Sequence, residues 1–568
     1  MLGLKKQATR LGEVLVEEGV ISEAQLKRAL EHQKQTGQFL GETLVNLNMV
    51  SSEVLGRYLE RATGYPFVDL AEVKVDLDVA RLVPEQFARA HRVLPFKLEN
   101  GQFHVGMVDP LNLETSDELA QILGGTIMPY HVFSQDVQMA INAAYDVRHR
   151  AESVLQEIGT DRNDQAEEPL DSLVGAAEDA PIVRLVNSII QGAMDGNASD
   201  VHIEPRENNV VVRYRLDGLL YDQMTFPIVH HAATVSRIKI MGGMNIAERR
   251  RPQDGRFSAK SVTGKMIDLR VSIMPTIYGE KIVMRLLDKE AAPSNLDVIG
   301  FTANQLAMMR RFIKRPHGIV LVTGPTGSGK STTLYCALQE INESTININT
   351  IEDPVEFHLP GINQTQVNQK IGFNFASGLR TLVRQDPDVI MVGEIRDAET
   401  AEIAIQAALT GHLVFSTLHT NDAPGAITRL QNMGIEPYLI ASAILGVVGQ
   451  RLVRLVCPHC RESRPATAEQ MRMFNLEEIE GKPPQLSYGA GCGRCGKRGL
   501  RGRTGVYEVM TMTDGMRALT LDGAPMAALK EQARRDGMMT MFECGVEKML
   551  AGVTTAEEVI RVLMTEEG

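Results

Sequence analysis

One short stretch near the middle of the chain restricts its possible folds more than any other. The apolar run 319–322, "IVLV", leads into "GPTGSGKS" at residues 324–331, and a helical pattern follows directly. Glycines at these positions allow backbone N–H groups to surround a phosphate, and the first turn of the following helix favours negative charge. The stretch therefore predicts an α/β domain with a nucleotide-binding phosphate loop.

The motif gives separate roles to the residues of this loop. Lys330 is expected to reach the β- and γ-phosphates, and the Ser331 hydroxyl is expected to bind Mg²⁺. ATP is the expected nucleotide, although the sequence shows no base-reading motif. The residues expected to bind the nucleotide are Gly324, Pro325, Thr326, Gly327, Ser328, Gly329, Lys330, Ser331 and Thr332.

Acidic residues follow two later strand patterns. Glu352, Asp353 and Glu356 come after a run of alternating apolar and polar residues, and Glu394 comes after the apolar run "VIMV". Acids at strand ends near a phosphate loop can orient the attacking water or hold the metal. For the first three, a solvated turn is the alternative interpretation.

Two histidines flank another strand pattern, "LVFSTL". His412 precedes this run and His419 follows it, with Thr417 and Thr420 close by. A lone histidine is more often structural. Two histidines beside a strand parallel to the phosphate-loop strand predict a phosphate-sensing element.

In this order, the motifs resemble the signature motifs of the secretion ATPases, the hexameric motors of type II secretion and type IV pilus assembly. The resemblance extends from Pro181 to Val509 and includes "NASDVHIEP", "RYRLDG" and "RRPQDGRFS" of that family's middle domain. It implies a RecA-like motor domain in which Glu356 activates water and Glu394 acts on Mg²⁺ through water. The catalytic set that it implies is Lys330, Glu356, Glu394, Arg256, Arg270, His412 and His419.

The same resemblance gives roles to arginines of the middle domain. Arg256 and Arg270 match arginines that reach a γ-phosphate, and in an oligomer such residues can stabilise transition-state charge as arginine fingers do. Arg213 and Arg285 are further candidates. For these two, a surface salt bridge is an equally good interpretation.

Four of the six cysteines form two Cys-x-x-Cys pairs that are separated by 31 residues. Cys457, Cys460, Cys492 and Cys495 could supply the four thiolates that tetrahedral Zn²⁺ prefers, and four thiolates leave no open position for catalysis. Reduced thiols without a metal are the alternative. The element resembles the tetracysteine element of extension-type and secretion-type ATPases, which implies structural zinc.

The beginning of the chain contains a repeat. "RLGEVLVEEGVIS" starts at Arg10 and recurs 29 residues later as "FLGETLVNLNMVS", starting at Phe39. Ser22 opens a capping-box pattern, which predicts a helix from about Glu23. A helical packing repeat would explain the apolar positions. Such a packing repeat explains less well the polar Gln33 on the apolar face and Arg10 near Gly12.

The first copy resembles the cyclic di-GMP-binding N-terminal domain of the MSHA-pilus type of assembly ATPase. That copy fits the motif at every position, whereas the second has Phe39 for Arg, Asn48 for Gly and Ala62 for Gln. A docking domain for a membrane-side partner is the alternative. The resemblance implies cyclic di-GMP contacts by Arg10, Leu11, Gly12, Leu15, Leu26, Leu30, Gln33, Leu40, Gly41, Leu44, Leu55, Leu59 and Asp109.

These patterns divide the chain into three domains and a linker. A mainly helical, repeat-containing N-terminal domain is expected at 1–150. A flexible acidic linker is expected at 151–180, because residues 157–179 contain eight acids and one arginine. A PAS-like α/β middle domain is expected at 181–290. The RecA-like ATPase domain is expected at 291–568, with the tetracysteine element at 457–495.

Composition limits the location and partners of the protein. The net charge of -12 argues against nucleic acid as the main partner, because phosphate binding needs a concentrated basic surface. No apolar run approaches the roughly 20 residues of a membrane span, and the first residues lack the apolar core of a signal peptide. The sequence therefore predicts a cytoplasmic protein whose contact with the inner membrane depends on partners.

The combined expectation is a hexameric ATPase that powers type IV pilus assembly through an inner-membrane platform protein, under cyclic di-GMP control. A type II secretion motor with the same chemistry is the nearest alternative. A low-turnover nucleotide switch that senses cyclic di-GMP is an alternative from another class, although it has no need of Glu356 and Glu394. A DNA-moving RecA-like motor fits poorly with the acidic net charge.

Overall fold

The computed structural model has three successive groups of helices and strands. Arg10, Leu11, Phe39, Asn48 and most of the expected linker lie outside the residues that the structure describes. The described residues are 12–36, 40–47, 49–50, 52–70, 73, 75–145, 180–261, 264–287, 295–478 and 481–564.

The first group, residues 12–145, is called the N-terminal domain and has two halves. The repeat half contains the helices α1 (Glu23–Thr36), α2 (Leu40–Asn46) and α3 (Ser52–Thr63). The predicted capping box is confirmed, because Ser22 N–H donates to Gln25 Oε1 at 2.8 Å and Gln25 N–H donates to Ser22 Oγ at 3.2 Å. The helix begins at Glu23 as predicted.

The second half of the N-terminal domain is built on a three-stranded sheet. The strand β1 pairs antiparallel with β2, and β2 pairs parallel with β3. Phe67, between the halves, forms a bridge with His131 at the end of the third strand. The elements are α4 (Leu77–Ala80), α5 (Glu85–His91), β1 (Val93–Glu99), β2 (Gln102–Met107), α6 (Leu113–Leu123), β3 (Thr126–His131) and α7 (Ser134–Ala144).

The second group, called the middle domain, is a six-stranded antiparallel sheet with two helices. Its strand order is β6-β5-β4-β9-β8-β7. Apolar side chains from both helices and from one face of the sheet form its core, because alternate residues of each strand point to that face. Its elements are α8 (Ala180–Asp195), β4 (Asp200–Pro205), β5 (Asn209–Leu216), β6 (Leu219–Pro227), α9 (His231–Met241), β7 (Gln253–Lys260), β8 (Met266–Thr276) and β9 (Gly279–Leu287).

The third group, called the motor domain, is a seven-stranded sheet of order β12-β11-β13-β14-β10-β15-β18, parallel except for β18. Its strands are β10 (Gly318–Thr323), β11 (Ile348–Glu352), β12 (Asn363–Gln366), β13 (Val389–Val392), β14 (Leu413–Leu418), β15 (Ile444–Val456), β16 (Arg461–Pro465), β17 (Gln485–Gly489) and β18 (Leu500–Thr511). Its helices are α10 (Ala303–Ile313), α11 (Lys330–Glu340), α12 (Phe375–Leu382), α13 (Ala398–Leu409), α14 (Gly425–Asn432), α15 (Pro437–Ala443), α16 (Ala468–Met473), α17 (Asp514–Leu521), α18 (Met526–Arg535), α19 (Met541–Leu550) and α20 (Ala556–Val559).

The central strands of the motor domain explain its layered form. Every residue of β10, β13 and β14 is buried, because helices cover both faces of a parallel sheet. The predicted α/β class is therefore confirmed. Within the described ranges, no helix combines the length and apolar character that crossing a membrane requires.

Candidate active site

The phosphate loop connects the end of β10 to the start of α11. Gly324 has φ +146°, and a Cβ at this position would lie 2.3 Å from the carbonyl oxygen of Gln450 on β15. Gly329, which caps the helix, has φ +88°. Only glycine fits both requirements, so the local sequence determines a loop whose N–H groups and helix start can receive a phosphate.

Lys330 lies against this loop. Its Nζ donates to the carbonyl oxygens of Gly324 at 2.8 Å and Pro325 at 3.1 Å. Burial lowers the pKa of Lys330, and the negative charge of Glu394 opposes that effect. The Lys330 ammonium and the Glu394 carboxylate are therefore close enough for electrostatic attraction at the same edge of the sheet.

Glu394 follows β13 at the carboxyl end of the sheet, where parallel strands place their functional residues. Its side chain is 15% exposed and its carboxylate contacts Arg396 at 2.5 Å and His419 Nε2 at 3.5 Å. Two threonines join this edge to the neighbouring strands. Thr417 Oγ1 donates to Gly393 O at 2.7 Å, and the hydroxyls of Thr420 and Thr323 are 2.6 Å apart.

A hydroxyl group that sequence reasoning missed positions the loop of Glu356. Tyr335, on the phosphate-loop helix, donates its O–H to the carboxylate of Glu352. The same oxygen accepts the backbone N–H of Glu356 at 3.2 Å. The helix that carries Lys330 is thus hydrogen-bonded to the backbone of the proposed base. The only signal in the sequence was a tyrosine among small and apolar residues of "TTLYCAL".

The structure corrects the expectation for Glu352. Its residue surface is 4% exposed, and its carboxylate accepts from Tyr335, from Thr350 Oγ1 at 2.6 Å and from Gln364 Nε2 at 3.2 Å. Burial raises its pKa. This carboxylate is a buried positioning group rather than a candidate for contact with water or metal, whereas Asp353 is exposed and Glu356 is half-buried.

The structure also corrects the expectation for His412. Since β14 runs parallel to β10, a residue before the strand lies at the sheet edge opposite the phosphate loop. His412 and His419 are seven positions apart around this strand, which corresponds to roughly 20 Å. His412 Nδ1 lies 2.8 Å from the carbonyl oxygen of Ala407, and this places its ring in a structural role. His419 alone reaches the site.

The four middle-domain arginines fall into two kinds. Arg256 and Arg270 are cross-strand partners on β7 and β8. No ion pair is found for either of them among the described residues. Arg213 and Arg285 each pair with a carboxylate of β4, at 2.6 Å and 3.0 Å. The salt-bridge interpretation therefore holds for Arg213 and Arg285. The role of Arg256 and Arg270 stays a prediction.

The four predicted cysteine ligands come together. Their sulfur atoms all lie within 4.8 Å of one another, with separations of 3.9 Å for Cys457–Cys492 and 3.8 Å for both Cys460–Cys495 and Cys492–Cys495. A tetrahedron with Zn–S bonds of about 2.3 Å has S···S edges of roughly 3.8 Å. Backbone N–H groups of Cys492 and Gly499 donate to Cys495 Sγ, each at 3.2 Å, as expected for thiolates that hold a metal. This donor set fits a tetrahedral metal ion.

The residues predicted to contact cyclic di-GMP fall into a buried group and a partly exposed group. The glycines face leucines in equivalent positions of the repeat: a Cβ at Gly12 would lie 2.6 Å from Leu26, and one at Gly41 would lie 3.0 Å from Leu55. Packing therefore explains the glycines. The leucines that lie in the core of the repeat half are Leu15, Leu40, Leu44 and Leu55. Their contact with cyclic di-GMP stays a prediction.

Partly exposed residues remain as candidates for ligand contact. The residues of this kind in the repeat half are Leu26, Leu30, Gln33 and Leu59. Asp109 follows β2 in the sheet half, where its Oδ1 accepts the N–H of Leu111 at 3.2 Å. Burial lowers the pKa of the His131 imidazole, and the negative charge of Asp109 opposes that effect.

Two protein-family models match the chain. The model described as type II/IV secretion system protein matches residues 175–561. The model of the MshEN domain matches residues 63–151, which confirms the resemblance of the N-terminal domain. This second match begins where the repeats end, so it covers the sheet half and Asp109 but neither repeat.

Curated relatives match almost the whole chain. The type IV pilus assembly ATPase PilB of Myxococcus xanthus is 44% identical over 560 residues, covering 97% of this chain and 98% of the relative. Type II secretion system protein E of Xanthomonas campestris pv. campestris is 41% identical over 560 residues, covering 98% of each. The solved structure of MshE with cdg is 34% identical, covers 24% of this chain and 98% of its own, and has a TM-score of 0.21.

Proposed function

The chain belongs to the type II/IV secretion system protein family and is an ATPase, and from this premise we propose that it is a hexameric motor for assembly of an MSHA-like type IV pilus. Relatives that serve pilus assembly and relatives that serve type II secretion both match over nearly the whole chain. The complete first repeat and the MshEN match favour the pilus. A type II secretion motor is the alternative.

The proposed reaction is hydrolysis of ATP by a water molecule that Glu356 activates. Lys330 neutralises charge on the β- and γ-phosphates, and Ser331 and Glu394 are the residues that would hold Mg²⁺. The observation that carries this proposal is the hydrogen bond from the Glu356 backbone to Tyr335 on the phosphate-loop helix. Nucleotide binding and the position of the base are thereby linked through one helix.

In the proposed oligomer, Arg256 and Arg270 supply positive charge to a nucleotide that another domain or another copy holds. Arg256 and Arg270 belong to the middle domain and have no carboxylate partner in the described part of the chain. Two such arginines on one sheet face suit a γ-phosphate that another domain or another copy presents. Rotation between the middle and motor domains would pass to an inner-membrane platform protein, with the motor itself in the cytoplasm.

A strain that carries Lys330→Ala tests whether the motor serves pilus assembly or type II secretion. We expect surface pili to be lost while secreted enzymes reach the medium at normal levels, because the variant cannot neutralise the phosphates. The measurement is pilus abundance by electron microscopy beside enzyme activity in the supernatant. Retained pili with a block in secretion would instead identify a type II secretion motor.

Regulation by cyclic di-GMP is proposed from the MshEN match and from Asp109. A carboxylate can accept from guanine N–H groups, and hydrogen bonds to a charged group contribute about 1.5–3 kcal/mol. Titration calorimetry of the full-length protein is therefore expected to show cyclic di-GMP binding that Asp109→Asn weakens at least about 10-fold. The matched control is Asp117→Asn, an exposed exchange on α6. Absence of heat, or equal affinity in both variants, would contradict the proposal.

A further inference from the structure

Arg494 lies between two of the cysteine ligands and extends from the tetracysteine element, residues 457–495, to the N-terminal domain. Its Nη2 atom is 2.9 Å from Asp69 and 2.6 Å from Asp136. These residues are 425 and 358 positions away in the sequence. The side chains of Arg494, Asp136 and Asp69 are 4%, 2% and 18% exposed, so most of the ion cluster is buried.

The sulfur cluster fixes the backbone on the arginine side. Residues 493–495 form a single tight turn, and Cys492 N–H donates to Cys495 Sγ at 3.2 Å across it. The Nη1 atom of Arg494 also contacts His459, which lies between the cysteines of the other pair. Both Cys-x-x-Cys pairs therefore determine where the guanidinium points.

The carboxylate side is the junction between the two halves of the N-terminal domain. Asp136 lies in the first turn of α7, and Asp69 ends the segment 66–69, which leads from the repeat half to the sheet half. Backbone hydrogen bonds of 2.8 and 3.0 Å join this segment to His131 at the end of β3. A single side chain that binds both carboxylates therefore contacts the connecting segment and the sheet half at once.

Charge makes this contact specific for the docked arrangement. When the domains are together, loss of the guanidinium removes the cation that these two largely buried carboxylates share, which is costly. When the domains are apart, the same carboxylates are hydrated, so loss of the guanidinium costs little free energy. Neutralising Arg494 therefore destabilises the docked arrangement relative to the separated one. Lysine would be a poor replacement, because the planar guanidinium can serve two carboxylates at once.

We propose that Arg494, Asp69 and Asp136 form a metal-dependent latch that holds the N-terminal domain on the motor domain. A metal bound by the four cysteines fixes the turn that carries Arg494, and the turn holds the guanidinium between the carboxylates. Loss of the metal loosens the turn and releases the N-terminal domain. The latch goes beyond the proposed function, since it depends neither on the cargo nor on cyclic di-GMP.

The test measures the distance between the two domains in the full-length protein. Fluorophores are attached through non-natural amino acids at the exposed positions Glu114 on α6 and Glu343 after α11, which leaves all cysteines intact and keeps both labels outside the tetracysteine element. Single-molecule energy transfer should show mainly the docked distance in the zinc-loaded parent. Arg494→Gln is expected to lower the ratio of docked to separated molecules at least about 10-fold. A zinc chelator should produce the same shift in the parent and no further shift in Arg494→Gln.

Two control variants keep the test decisive. The double variant Asp69→Asn and Asp136→Asn leaves the tetracysteine element unchanged, and it should shift the distance as Arg494→Gln does while zinc content stays the same. Arg472→Gln, an exposed exchange on α16, should shift nothing. Parent-like distances in both latch variants would overturn the proposal. A chelator-induced shift of equal size in parent and Arg494→Gln would also overturn it, because the metal would then act without the arginine.

Discussion

Replacing Glu356 with glutamine is expected to lower the steady-state rate of ATP hydrolysis by at least about 100-fold, since a positioned general base contributes about 10²–10⁴-fold. The amide keeps the shape of the side chain but cannot take a proton from water. Nucleotide affinity should change little, because Lys330 and the loop N–H groups remain. The measurements are phosphate release under saturating ATP and binding of a fluorescent nucleotide analogue.

Two companion variants show whether the loss is specific. Glu343→Gln makes the same exchange at an exposed position near the other end of the phosphate-loop helix and should retain the full rate. Tyr335→Phe removes the hydroxyl that fixes the Glu356 backbone, so the rate should fall by a smaller factor with affinity retained. A Glu356→Gln protein that turns over ATP normally would remove Glu356 from the mechanism. A parent that scarcely turns over would favour the nucleotide switch.

Replacing Cys492 with serine is expected to reduce bound zinc from about one ion per chain to a small fraction. In a closed four-cysteine site all four ligands are thiolates of the protein, and this variant lacks one of them. Metal binding contributes about 10–16 kcal/mol to folding in isolated zinc fingers, so the tetracysteine element should lose most of its ordered structure. The two strands of this element, β16 and β17, form a sheet separate from the seven-stranded sheet of the motor domain, so the loss of order should be local. Metal analysis and hydrogen exchange over 457–495 measure both effects.

Cys544 gives a matched control for the metal prediction. It is buried in the motor domain and lies outside the sulfur cluster. Cys544→Ala should keep the zinc content of the parent, even if it costs some stability through the lost side-chain volume. If Cys492→Ser contained as much zinc as the parent, measured without chelators in the preparation, the four thiols would not bind one metal ion jointly.

Local patterns predicted the parts of the structure whose causes are local. The capping box at Ser22 and the phosphate loop depend on residues within a few positions of one another, and they form as predicted. His412 was included because two histidines flank one strand and because the family resemblance implies both. A parallel strand has only one end at the site, so the expected pairing of β14 with β10 already favoured His419 over His412.

Features that depend on packing between distant segments could not be predicted from the sequence. Tyr335 contacts Glu352 because α11 packs beside β11, and nothing in either segment alone indicates the pairing. The leucines of the repeat fit both a packed core and a stacking surface, since both require apolar side chains. In the structure, Leu15 and Leu44 are 0% exposed, whereas Leu26 is partly exposed.

The latch joins two parts of one polypeptide, and this sets the conditions under which it closes. A contact within one chain works at an effective concentration that is commonly on the order of millimolar, far above the concentration of the protein itself. Even a weak latch can therefore be mostly closed, and a modest change in its strength alters the docked fraction.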